Sequence, residues 1–129
     1  MRIATLKLEG KIYPLIFSLY AAEKIEDECI PIDDMTDCFL NPKKYMKNSI
    51  RLVKDIIWIM LREGILYCKR KEIKEIDNMK LELDIPEYDE FYVDVSYDDF
   101  GNFMEALYNT LIKSKKNESG TKQEKEVKQ

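Results

Sequence analysis

The 129-residue chain contains no histidine. That removes imidazole general bases, histidine-based triads, and most zinc and non-haem iron sites together. Glycine is scarce: the four residues 10, 64, 101 and 120 are far apart, so no Gly-rich phosphate loop exists. No G-x-S-x-G elbow is present. The three cysteines, Cys29, Cys38 and Cys68, form no C-x-x-C pair. With their odd number and no histidine to complete a metal set, they read as free thiols of a reducing cytoplasm. No apolar stretch approaches the ~20 residues a membrane helix needs; the longest, Ile56 to Leu61, has charges on both sides. The opening Met1-Arg2 leads into a strand-like run rather than a secretory apolar core. These absences give the expectation of a non-enzymatic cytoplasmic protein with no cofactor, metal, nucleic-acid or membrane role.

What is present is apolar content and charge. Hydrophobic residues make up 45% and charged residues 36% of the chain, and the net charge is -4. A chain of this size buries roughly two-thirds of its unfolded surface. The composition therefore predicts one globular domain over residues 1–115 and, because 116–129 hold a single aliphatic residue (Val127), a disordered polar tail.

Alternating apolar residues around Gly10 predict a β-hairpin, Arg2–Leu8 with Ile12–Phe17. Pro14 cannot donate to a ladder, so the second strand is expected to be an edge. Ser18 is a good N-cap for a helix over Leu19–Glu28 with the stripe Leu19, Ala22, Ile25. Ile30-Pro31 stops that helix. Asp33 or Asp34 then caps a short turn, Met35–Leu40, which Asn41-Pro42 closes. From Ser49 to Arg62 apolar residues lie nearly all round, which predicts a buried helix; Gly64 stands where a C′ residue belongs. Glu72–Leu83 reads as a weaker helix. Phe91–Val95 has strand composition, though a helix start also fits. Ser96-x-x-Asp99 resembles a capping box for a last helix, Tyr97–Ser114, with Phe100, Phe103, Met104, Leu107 and Leu111 as its stripe. The fold class is α+β, mainly helical: an N-terminal hairpin packed on about four helices. The expected core is Leu6, Leu8, Leu15, Phe17, Leu19, Ile50, Val53, Ile56, Ile57, Trp58, Met60, Leu61, Phe100, Phe103, Leu107 and Leu111.

Charge is segregated along the chain. Residues 1–42 carry net -4, residues 43–80 net +6, residues 82–99 net -8 and residues 100–129 net +2. Lys69, Arg70 and Lys71, with Lys74, form a basic cluster suited to phosphate or to an acidic partner. The acidic run is laced with Tyr88, Phe91, Tyr92 and Tyr97, residue types favoured at interface hot spots. Lys69, Arg70, Lys71 and these four aromatics are the candidate partner-binding set, and the edge at Pro14 is a further candidate contact. The plainer account is an acidic connection and a basic face chosen for solubility. No metal-loop pattern D-x-[DN]-x-[DN]-G runs through the acids.

The opening Leu6-Lys7-Leu8-Glu9-Gly10-Lys11-Ile12-Tyr13-Pro14-Leu15, running into Phe17-Ser18-Leu19-Tyr20-Ala21-Ala22-Glu23-Lys24-Ile25-Glu26, resembles the start of tail assembly chaperones of siphophages and their prophages. The motif covers roughly residues 3–62; residues 96–129 are similar in layout alone. The resemblance implies a non-catalytic protein that binds the tape-measure protein and the tail tube protein during virion morphogenesis. It also implies a longer form of the same protein made by ribosomal frameshifting, with Lys115-Lys116 at the joint, and homo-oligomers are compatible with it. It carries over no catalytic or ligand residues. Two other readings stay open: a small bacterial cytoplasmic adaptor module, and a minor structural tail component. Lys- and Ile-rich usage suits a low-GC Gram-positive host.

Overall fold

The computed structural model describes residues 2–40 and 49–111. Strand β1 (Ala4–Leu8) pairs antiparallel with β2 (Lys11–Leu15), in the register Ala4↔Leu15, Leu6↔Tyr13, Leu8↔Lys11. Glu9 and Gly10 both have positive φ, 47° and 79°. A type I′ turn requires this at its two central positions, and its twist matches that of the strands. Period-2 alternation puts Ala4, Leu6, Leu8, Tyr13 and Leu15 in the core.

Ser18 caps α1 (Leu19–Glu28): its Oγ accepts the Ala21 N–H at 3.0 Å. Helix α2 (Ile32–Leu40) begins earlier than the sequence suggests, so Asp33 and Asp34 lie in its first turn, where carboxylates favour the helix dipole. Asn41-Pro42 lies outside the described residues.

Helix α3 (Ser49–Lys71) is the scaffold. Its 23 residues span about 34 Å at 1.5 Å per residue. Val53, Ile56, Ile57, Met60, Leu61, Ile65 and Cys68 repeat at helical spacing and are buried. The helix does not stop at Gly64, as the sequence suggests. It runs through because the glycine serves packing: a Cβ there would lie 2.6 Å from the Pro14 carbonyl carbon and 3.1 Å from Leu15 Cα. Strand β2 thus lies directly against the helix backbone, and the Ile16 N–H donates to the Met60 carbonyl at 3.3 Å. As expected, β2 is an edge strand, the sheet having only two, but Pro14 itself is buried against α3 and offers no exposed contact.

The true end of α3 is a Schellman motif. Ile73 N–H donates to Cys68 O (2.9 Å) and Glu72 N–H to Lys69 O (3.3 Å), with Glu72 itself at φ 57°. The helix expected over Glu72–Leu83 is instead a hairpin, β3 (Glu75–Ile76) with β4 (Met79–Lys80). Asp77 and Asn78 take φ 52° and 66°, a turn conformation these side chains tolerate better than other non-glycine residues. The returning chain secures β2: Glu82 N–H donates to Ile12 O at 2.7 Å.

Phe91–Val95 does not continue as a strand. Helix α4 (Tyr88–Val93) lies on α3 through aromatic rings. Ser96 caps a 3₁₀ turn, Tyr97–Asp99, by accepting the Asp98 N–H at 3.1 Å, and α5 (residues 100–111) follows. Phe103, Ala106, Leu107 and Leu111 close the core. The expected tail, 116–129, lies outside the described residues.

Two expected core residues are exposed: Leu19, at 89%, and Ile50. Buried Ala21 and Ile25, with half-buried Cys29, set the inward face of α1. Leu19 is two residues before Ala21, about 200° around the helix, and so points outward. Phe17, Trp58 and Phe100 are partly buried against the core. Ile16, Ile30, Met35, Ile65, Leu81 and Phe91 join the core without having been expected there.

Candidate protein-docking surface

The seven candidate residues separate into three places. Phe91 is a core residue, 8% exposed, edge-on to Tyr13 at 5.4 Å. Tyr88 and Tyr92 are half-buried and turn inward onto α3. The Tyr88 hydroxyl donates to Asp55 Oδ1 and the Tyr92 hydroxyl to the Lys54 carbonyl, both at 2.7 Å. Trp58 meets Tyr88 edge-on at 5.4 Å, and Lys54 Nζ stands 5.2 Å and 5.0 Å from the Tyr88 and Tyr92 ring centres. Burial first, then the hydrogen bond to Asp55, pushes the Tyr88 phenol well above its ordinary range. Burial, with Tyr88 and Asp55, does the same to Tyr92. These aromatics hold α4 in place. Tyr97 is the exception: it is 74% exposed and stacks on Phe100 with ring centres 5.9 Å apart.

Lys69, Arg70 and Lys71 are exposed and occupy the last turn of α3, where cations favour the carbonyl end of the dipole. Arg70 also reaches a groove that the sequence alone does not reveal. It runs between α1 and α3 and encloses about 580 Å³. Its apolar and aromatic lining includes Tyr20, Trp58, Ile59, Leu66 and Tyr67; its charged lining is Lys24, Glu28, Arg62, Glu63 and Arg70. Tyr20 is 56% and Leu66 41% exposed.

The groove follows from helix phase. The inward residues of α1 are Ala21 and Ile25, which leaves Leu19 and Tyr20 on the outside beyond the Ser18 cap. Because α3 continues past Gly64, Leu66 and Tyr67 become helical positions flanking the buried Ile65 and Cys68. Lys24 Nζ lies 3.8 Å from Glu28 Oε2 and 5.5 Å from the Tyr20 ring centre; Arg70 lies 5.7 Å from the Tyr67 ring centre. Among the described residues no carboxylate lies within ion-pair distance of Arg62 or Arg70. The only sequence signal for the groove was the apolar pair Leu19-Tyr20 directly after a cap.

Neither described thiol is poised for chemistry. Burial, with Asp55 and Glu28, pushes Cys29 up to about 11, and burial raises Cys68. Among the described residues no group of three or more His, Cys, Asp or Glu is placed to hold a metal ion, and no helix is long and apolar enough to cross a membrane. In comparisons with known proteins, no family model, curated protein or solved structure matches this chain.

Proposed function

We propose that the chain is a tail assembly chaperone of a siphophage or prophage, a non-catalytic protein that binds the tape-measure and tail tube proteins in the bacterial cytoplasm while a tail is built. The observation that carries this is the α1/α3 groove, where exposed Tyr20 and Leu66 sit among charges, two of them arginines with no ion-pair partner among the described residues. Exposed large apolar side chains collected in one concave place mark a surface for another protein. The residues of the family-like opening supply Ser18, Tyr20 and Lys24 of that surface: the hairpin packs on α3, and Ser18 starts α1 at the groove's edge. A chaperone must also let go. Contacts through a small groove with exposed charges are weak, steered and salt-sensitive, which suits release before the tail matures.

The test is co-purification of the tagged chain with the proteins encoded beside its gene, at low and at high salt. Capture of a long tape-measure or a tube protein that weakens with salt is the expected result, together with absence of the chain from finished particles. Capture of neither by a folded sample overturns the proposal and leaves the adaptor reading. Presence in finished particles overturns it in favour of a structural tail component. Mass spectrometry of the native gene's products tests the longer form directly.

A further inference from the structure

We infer that the α1/α3 groove takes a single amphipathic helix of about three turns from a partner protein, with that helix's acidic residues set over Arg62 and Arg70, about two turns of α3 apart. The inference deepens the proposed function and rests on it for the partner's identity, but not for the groove's chemistry. Length comes first. From Trp58 to Arg70 the groove follows α3 for about 18 Å, and a helix of about 12 residues covers that distance. Shape comes second. Both walls are helices, and among the described residues no strand lines the groove, so backbone pairing with an extended peptide has no edge to use. The occupant must instead bring an apolar face, spaced i, i+3, i+4 and i+7, to Tyr20, Trp58, Ile59 and Leu66.

Charge decides the occupant's polarity. Glu28 is already held by Lys24. Arg62 and Arg70 are exposed and have no ion-pair partner among the described residues, and Lys69 and Lys71 flank Arg70. The chain as a whole is acidic, yet the lining carries three cations, Lys24, Arg62 and Arg70, against two carboxylates, Glu28 and Glu63, with Lys69 and Lys71 beside Arg70 adding to the positive side. Guanidinium groups bind carboxylates in a forked geometry, which gives register as well as attraction.

The probes are three synthetic helical peptides of about 14 residues, each stapled on its solvent side. One has leucines at i, i+3, i+4 and i+7 with glutamates elsewhere; the second replaces glutamate by lysine; the third scrambles the first. Each is titrated into the isotope-labelled full chain and followed by amide chemical shifts. Expected are shifts from the acidic peptide alone, centred on Tyr20, Lys24, Arg62, Leu66 and Arg70, with affinity falling roughly tenfold from low to high salt. Arg62→Glu with Arg70→Gln should weaken binding about tenfold or more, and Tyr20→Ala about fivefold, in samples whose circular dichroism shows the parent fold; the melting temperature of the double variant falls only by the small helix-end contribution of Arg70. Equal binding by the lysine peptide, or shifts centred on Tyr97 and Phe100, overturns the inference. So does self-association through the groove that the peptide fails to displace, because the occupant is then a second copy. The same double variant goes into the co-purification. Capture of a tail protein that the double variant leaves intact sinks the groove assignment and spares the chaperone reading. Groove binding of the acidic peptide with no tail protein captured does the reverse.

Discussion

Replacing Gly64 with alanine puts a methyl group where the backbone of β2 already lies. Helix propensity alone makes the change favourable, since alanine in a helix interior is better than glycine by about 1 kcal/mol. Packing reverses the sign. The new carbon would stand against the Pro14 carbonyl oxygen and 2.6 Å from its carbon, where an ordinary contact is at least 3.4 Å, so β2 must retreat by more than about 0.8 Å. Backbone cannot swing aside as a side-chain tip does, and β2 is held by its register with β1 and by Glu82. The retreat stretches the Ile16–Met60 hydrogen bond, already 3.3 Å long, beyond useful reach, which costs about 1 kcal/mol. It also opens the dry contact of Leu15 with α3, and overpacking of this kind costs about 1–3 kcal/mol. The net expectation is a loss of about 1–3 kcal/mol.

Gly101 supplies the control. It is also helical, but a Cβ there meets nothing within 4 Å, so Gly101→Ala should stabilise by about 0.5–1 kcal/mol. Both variants are read from denaturant midpoints at unchanged slope, by circular dichroism and by fluorescence of Trp58, the only tryptophan. A Gly64→Ala variant as stable as the parent refutes the close approach of β2 to α3. Destabilisation by both substitutions alike refutes the argument that packing, not helix propensity, sets the sign.

Ser18→Ala removes the acceptor for the Ala21 N–H and should cost about 1 kcal/mol in the same denaturation assay. Glu72→Gly relieves a left-handed non-glycine residue at the end of α3 and should stabilise by about 1 kcal/mol. Alkaline pH should destabilise the fold. Tyr13, Tyr88 and Tyr92 are all held above their ordinary value of 10.0, burial being the main cause. Above that value the unfolded chain has lost protons that the folded chain keeps, so stability is full below it and falls as pH rises through it. Denaturation midpoints should therefore drop between about pH 9 and about pH 11, and Tyr88→Phe with Tyr92→Phe should flatten the drop. Iodoacetamide should label Cys29 and Cys68 slowly at neutral pH in the folded chain and quickly when it is unfolded, as mass spectrometry by site would show.

Features fixed by neighbouring residues were legible in the sequence. The hairpin around Gly10, the caps Ser18 and Ser96 and the inward stripe of α3 all depend on interactions within a few residues. Features fixed by distant residues were not. Gly64 looks like a helix terminator until β2 is laid against it, when the same absence of a side chain becomes a packing requirement. Asp77-Asn78 forms a two-residue turn without glycine, so apolar spacing over Ile73, Ile76 and Met79 imitated a helix. Leu19 took part in an apolar stripe, but Ala21 and Ile25, smaller or later in the chain, fix the inward face. The groove was invisible for the same reason: its walls come from residues 18–28 and 58–70, which only the packing of α1 on α3 brings together.

The charge blocks, too, change meaning once folded. Asp89 and Glu90 lie in the first turn of α4, Asp98 and Asp99 in the turn that opens α5, and Lys69 to Lys71 in the last turn of α3. Each favours the helix end it occupies, so much of the segregation serves local structure and needs no partner. Tyr88, Phe91 and Tyr92 are likewise taken up in fixing α4. Folding leaves a smaller set that the fold itself does not use. Tyr20 and Leu66 are exposed, and Arg62 lies mid-helix, away from the helix end whose dipole Lys69 to Lys71 complement. Arg70 serves both the helix end and the groove. Of the apolar side chains that folding leaves exposed, Tyr20 and Leu66 gather in one groove with Arg62 and Arg70, while Tyr97 of the acidic run stays exposed on Phe100. The proposed docking surface is therefore the place where unused aromatic, aliphatic and cationic groups meet, and Tyr97 is the part of the acidic run that the fold leaves outside.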